Sequence, residues 1–178
     1  MTEITISDGI IELVSPITLD WAPILASLAN DKSVYDNIGA HAFPYPYRQE
    51  DAETFITKNR FDGSRPFAID FRIMSGRDMV GVIGISQINY DDRNAHIGYW
   101  IGAMHRGKGA ATRATNLIVG YCRNEMKLHR LYTSVMSTNP ASARVLEKAG
   151  FLLEGVRKEH FLFYDRYVDM LMLGIILD

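Results

Sequence analysis

The centre of this chain is fixed by three alternating apolar runs whose connections are only four residues long. Phe67, Ile69, Phe71 and Ile73 alternate with smaller or polar residues, and Met79 to Tyr90 and Ala95 to Gly102 follow. Between them stand Ser75-Gly76-Arg77-Asp78 and Asp91-Asp92-Arg93-Asn94. Alternation marks strands with one buried face. Connections this short cannot cross over, so the strands form an antiparallel meander. It runs into Arg106-Gly107-Lys108-Gly109, after which Ala111, Ala114, Leu117, Ile118, Tyr121 and Cys122 mark a helix over 110–126.

The rest of the chain arranges itself around that centre. Ile4 to Val14 is broken at Asp8-Gly9 into two short strand pieces, and Thr18 is placed to cap a first helix. Lys32 to Tyr47, with Pro44 and Pro46 among aromatics, suits neither helix nor strand, while Arg48 to Asn59 reads as a second helix. Phe61 to Arg65, with Asp62-Gly63, is a turn. A short strand at 130–136, a helix at 139–148 ended by Gly150, and closing strands at 151–157 and 167–176 complete the order. The expected fold class is mixed α/β (α+β), one domain over residues 1–178.

Composition excludes several functions. The chain has 178 residues, 19 Lys and Arg against 21 Asp and Glu, and a net charge of -2. A protein whose main task is gripping phosphate backbones needs a basic surface, so direct nucleic-acid binding is not expected. No segment approaches the ~20 apolar residues of a membrane span. The lone Cys122 allows no intramolecular disulfide, and no Cys/His spacing suits a metal. The N-terminus shows no signal-peptide pattern, so a cytoplasmic protein is expected.

The loop at 106–109 carries the chemistry. A helix that starts directly after a glycine turn exposes unpaired N–H groups and a positive dipole end. Gly107 and Gly109 have no side chain to block a ligand, and Arg106 and Lys108 add charge, which together describe a diphosphate site. The residue after Lys108 is Gly109, so the P-loop pattern fails. Thr112 stands where a dinucleotide fingerprint needs its third glycine. The pattern R/Q-x-x-G-x-G/A is met by Arg106, Gly109 and Ala111.

That pattern resembles the acetyl-coenzyme A loop of the GNAT superfamily of N-acetyltransferases. One strand and one helix later, Asn139-Pro140-Ala141-Ser142 through Lys148-Ala149-Gly150-Phe151 resembles the second signature of that family. Glu154-Gly155 and Tyr167-Val168-Asp169-Met170 are similar to the RimJ/RimL-like branch. The resemblance implies a central, mostly antiparallel, twisted sheet splayed at the cofactor site, with flanking helices. It implies acetyl-coenzyme A as cosubstrate and no metal. Pantetheine contacts would fall to the backbone of Tyr99, Trp100 and Ile101. Pyrophosphate contacts would fall to Arg106, Gly107, Lys108, Gly109, Ala110 and Ala111, and further cofactor contacts to Asn139 and Ser142.

By the same resemblance, a primary amine attacks the acetyl thioester directly. The reaction must remove an ammonium proton and stabilise both an oxyanion and a leaving thiolate. The family's usual acidic tyrosine is replaced here by Leu146, which leaves Ser142 as the donor candidate or simply a helix or pantetheine contact. His96 occupies the position of a frequent basic glutamate and is the base candidate, with a purely structural role as its alternative. His105 would flank the diphosphate. His41, Phe43, Tyr45 and Tyr47 would wall the acceptor side. Protein N-termini, polyamines, aminoglycosides and other small amines all remain open as acceptors. Asp31, Asp36, Glu50, Asp51 and Glu53 are either a polyamine site or a solvated face. The competing reading is a non-catalytic acyl-coenzyme A sensor or scaffold of the same fold, and a homodimer is the default oligomer.

Overall fold

A computed structural model describes residues 3–38, 43–58 and 65–177, and the backbone of 61–62. The meander forms as its alternation predicts: β5 (Ile69–Ser75), β6 (Asp78–Asn89) and β7 (Asn94–Ile101) pair antiparallel in sequence. At the chain's start, β1 (Ile4–Ser7) and β2 (Glu12–Ser15) form a hairpin on the Asp8–Gly9 turn, and β2 joins β5. On the far side stand β8 (Arg130–Met136), β9 (Leu152–Phe163) and β10 (Arg166–Ile176). The sheet order is β1-β2-β5-β6-β7-β8-β10-β9. The closing strands extend beyond 151–157 and 167–176 and turn at Tyr164 and Asp165. Phe61–Asp62 (β3) and Arg65–Pro66 (β4) pair antiparallel.

Helix α4 (Ala110–Asn124) lays Ala114, Ile118 and Cys122 on Phe71, Ile83, Ile97 and Leu131. These positions recur every four residues and bury one stripe, as an amphipathic helix must. Burial also pushes the Cys122 thiol up to about 12, so it is an inert core residue. The opposite face of the sheet is covered by α1 (Ala22–Ala29) and α3 (Gln49–Thr57), which meet Val82 and Met79. Thr18 precedes a single 3-10 turn at Leu19–Trp21 and makes no side-chain capping bond. α5 (Pro140–Lys148) is capped by Asn139, whose Oδ1 accepts the Ser142 N–H at 3.1 Å.

One helix was not legible. Residues Lys32–Ile38 form α2, where the irregular pattern suggested no regular element. Only Val34 is buried along it, so there is no apolar stripe to read. Local polar bonds hold it instead: Asp31 accepts the Ser33 N–H at 2.8 Å, and Lys32 pairs with Asp36 at 2.8 Å across one turn.

The β7–β8 pair positions the site. It is the parallel pair of the sheet, and its register covers only Asn94↔Arg130, Ala95↔Leu131 and His96↔Tyr132. Past that point β8 continues on β10, β7 continues on β6, and the two strands part. No helix among the described residues is long and apolar enough to cross a membrane.

Candidate active site

From β7 the chain passes through a 3-10 turn at Ala103–His105 into Gly107 at φ +75° and Gly109 at φ +84°. L-residues pay about 1–2 kcal/mol in this left-handed region, so glycine is required here by conformation. Crowding is not the reason, since a Cβ at either position would meet nothing within 4 Å. The bare loop presents the N–H groups of Ala110, Ala111 and Thr112, which lack partners within α4, at the helix's positive end. The two cations are turned into the scaffold. Arg106 donates from Nε to the Ile101 carbonyl at 3.0 Å and from Nη1 to Ser33 Oγ at 2.8 Å. Lys108 Nζ reaches back to the Met104 carbonyl at 3.2 Å.

A cleft of about 640 Å³ opens beside this loop, in the gap where β7 and β8 part. Tyr99, Trp100, Ile101, His105, Arg106, Gly107, Gly109, Ala110, Ala111, Asn139 and Ser142 line it, while Lys108 does not. The Tyr99 hydroxyl lies 2.9 Å from Ser142 Oγ and 3.1 Å from the Ser142 carbonyl. Burial pushes the Tyr99 phenol up to about 12. Leu146 points away into the core at 1% exposure.

A second cavity of about 600 Å³ lies on the sheet face under α1 and α3 and shares Asn37, Ile38, Tyr99 and Trp100 with the first. His96 lines this second space, so the two candidate catalytic residues occupy different cavities. Its Nδ1 is 3.3 Å from Ser86 Oγ, and its ring meets the Tyr132 ring edge-on. Burial holds its pKa below the usual imidazole value and favours the neutral ring. Phe43 stacks on Tyr47 at 4.5 Å and meets Trp100 edge-on at 6.1 Å, so aromatic residues do wall the cavity. Tyr45 packs against Tyr35 at a tilt outside it, and His41 falls outside the described residues.

Most of the expected acidic residues are committed elsewhere. Asp31 holds the start of α2. Asp36 accepts from Lys32 and from Tyr164 Oη at 2.6 Å, and Glu53 accepts from Gln49 at 2.8 Å. Glu50 is exposed. Asp51 alone of the five lines the cavity, where it also accepts the Arg48 N–H at 2.7 Å. Of the later carboxylates, Asp169 fastens β9 to β10 by accepting the Glu159 N–H at 2.9 Å and Lys158 at 2.8 Å.

The sequence reading missed Asp70. In register across three strands, Asp70 pairs with Gly84 and Gly84 with Gly98, on the face that also carries Val82, Trp100, Ser86 and His96. The two glycines leave a bare trough in the cavity floor. The carboxylate leans across it, since a Cβ on Gly84 would stand 2.5 Å from Asp70 Oδ1. Alternation does put Asp70 on the polar face of β5, but nothing in the pattern shows that helices roof that face.

The acetyltransferase (GNAT) domain family matches residues 11–152. The chain belongs to that family. Within it, the probable N-acetyltransferase YjcK of Bacillus subtilis is 38% identical over 109 residues, 60% of each chain. The spermidine N(1)-acetyltransferase of Vibrio cholerae is 29% identical over 136 residues, 75% of this chain and 77% of that one. The solved structure of RimL, a ribosomal L7/L12 α-N-protein acetyltransferase in complex with coenzyme A, superimposes with a TM-score of 0.87. It covers 99% of both chains at 23% identity, and the two share the GNAT fold. The family and these relatives support acetyl transfer from acetyl-coenzyme A to an amine. The RimJ/RimL-like resemblance read from the sequence agrees with them.

Proposed function

We propose that this chain, acting as one domain, transfers the acetyl group of acetyl-coenzyme A directly to a primary amine in a ternary complex. The thioester enters through the β7–β8 gap and the amine through the cavity under α1 and α3. The observation that carries this reading is the meeting of the two cavities at Tyr99 and Trp100. Acetyl-coenzyme A, when bound, supplies an activated acetyl carbonyl.

This chain's residues suit that cosubstrate. The N–H groups of Gly107 to Thr112 form an uncrowded anion cradle, and the cavity volume is in the ~300–1,000 Å³ range of small-ligand sites. Past His96 the β8-facing side of β7 has no strand partner, which leaves Tyr99 to Ile101 for a pantetheine arm. Asn139 fixes the first turn of α5, and with it Ser142, which donates toward the sulfur. His96 is held neutral, the form a proton acceptor needs, directly or through water.

The relatives act on ribosomal-protein and spermidine amines. Among the described residues of this cavity, aromatic walls and two carboxylates, Asp51 and Asp70, accompany Lys58. That balance suits one ammonium on a compact apolar body better than a polycation. A protein N-terminus or a small monoamine is therefore the acceptor class this reading favours. We read the chain as cytoplasmic, in keeping with a buried free thiol. Exposed Leu152, Leu153 and Leu162 on the edge strand β9 support a homodimer.

Calorimetry with acetyl-coenzyme A, followed by thiol release across peptide N-termini, polyamines, aminoglycosides and small amines, tests the proposal. Binding and turnover with monoamines or peptides is expected. Binding without turnover would leave the sensor reading, and no binding at hundreds of micromolar would overturn both.

A further inference from the structure

Leu146 is core and offers nothing to the cleft. The structure brings a tyrosine to the cleft from a strand. Tyr99 stands on β7 just beyond the last β7–β8 pair, at the junction of the two cavities. Its Oη is 2.9 Å from Ser142 Oγ and 3.1 Å from the Ser142 carbonyl. We propose that Tyr99 is a positioning residue for thiol departure, whose hydroxyl engages Ser142 Oγ so that the serine O–H donates its hydrogen bond to the coenzyme A sulfur. This rests on the acetyltransferase reading above and deepens it.

Hydrogen-bond arithmetic leads to this role. Tyr99 and Ser142 each have one hydroxyl proton. If Tyr99 donates to the Ser142 carbonyl, Ser142 can spend its proton on Tyr99 Oη, and nothing faces the cleft. If Tyr99 donates to Ser142 Oγ, the serine proton is free for a group in the cleft. An anionic sulfur selects the second arrangement, because hydrogen bonds to ionised acceptors are roughly twice as strong as neutral ones. The backbone from which the serine projects is fixed, since its own N–H is held by Asn139 Oδ1 at 3.1 Å.

The pair acts by hydrogen bonding and not by giving up a proton. A thiol ionises near 8.5, whereas Tyr99 is held at about 12, so a thiolate does not strip it. In the step itself the amine nitrogen bonds to the acetyl carbon, the carbon–sulfur bond breaks, and its electron pair stays on sulfur. Ser142 stabilises that charge, while the proton from nitrogen leaves on the acceptor side, toward His96 or water.

Titration of the bound coenzyme A thiol, followed by thiolate absorbance with protein in excess, tests this without turnover. In the wild type the ionisation constant should exceed that of free coenzyme A by about 10- to 100-fold, the size of one charge-assisted hydrogen bond. Tyr99→Phe keeps the ring and the packing, and should remove most of that gain. Ser142→Ala should remove all of it, Ser142→Thr should restore it, and the Tyr99→Phe/Ser142→Ala pair should do no worse than Ser142→Ala alone. The kcat of Tyr99→Phe should fall about tenfold with the KM for acetyl-coenzyme A unchanged. An unaltered thiol titration in Tyr99→Phe, or effects of the two substitutions that simply add, would overturn the proposal. Should Tyr99→Phe not fold, an unaltered titration in Ser142→Ala overturns it equally. Wild-type protein that binds no coenzyme A would instead sink the acetyltransferase reading on which it rests.

Discussion

The cofactor cleft and the acceptor cavity touch at Tyr99 and Trp100 but are built in different ways. The cleft is chiefly backbone: a left-handed glycine pair, the open end of α4, and a strand that has lost its neighbour. The cavity is side chain: aromatic walls from 43–55, carboxylates from α3 and β5, and an imidazole from β7. Backbone recognition depends on a few glycines and little on other side chains, which suits one invariant ligand. Side-chain recognition can be re-tuned residue by residue, which is how a shared fold can serve different amines.

Substitutions that strike one region and spare the other sharpen this contrast. The largest effect is expected of Gly109→Glu, which forces a side chain into φ +84° and sets a carboxylate against the diphosphate. Calorimetry should show acetyl-coenzyme A binding weakened by at least about 100-fold, whereas Gly109→Ala pays only the left-handed cost. Undiminished binding by Gly109→Glu would break the contrast. On the acceptor side, Asp70→Asn should raise the amine KM about tenfold and leave acetyl-coenzyme A affinity alone. Gly98→Val should do the same by filling the trough, since only His96 Cε1, at 3.8 Å, is near the new Cβ. Parallel losses of cosubstrate affinity would show that the cavities are not separable.

A smaller effect belongs to the element between them. Val34, Asn37 and Ile38 of α2 line the cleft, the last two also line the cavity, and Arg106 ties the loop to Ser33. Ser33→Ala should therefore move both KM values together, by about two- to fivefold. The smallest effect is in stability. His96 has a depressed pKa in the fold, so the unfolded chain binds more protons below the usual value near 6.5. Its contribution is complete above that pH and is lost as pH falls toward the depressed value. Denaturant midpoints at pH 7.5 and 5 should differ less in His96→Asn than in the wild type.

Legibility followed the same division. The meander, the loop and α5 were all readable, because a four-residue connection, a glycine pair and an N-cap are each local constraints. Helix α2 was not, because it buries only Val34 and is held by Asp31, Lys32 and Asp36. The expectation that Lys108 joins the cofactor site met a side chain folded back on Met104. The acidic residues of the first half looked like one group, but four of the five stand outside the cavity, on local partners or in solvent. Asp70 carried no signal because alternation tells two faces apart without telling which is covered.

By itself, the sequence determined the antiparallel meander, the glycine turn that opens α4 and the local signatures of the family. Each of these depends on neighbours a few residues apart, where chain reach and sterics leave one solution. The tertiary structure alone decided that Tyr99 meets Ser142, that Asp70 lies over Gly84, and that Arg106 grips Ser33. Those partners stand apart along the chain, and only strand register and helix packing bring them into contact.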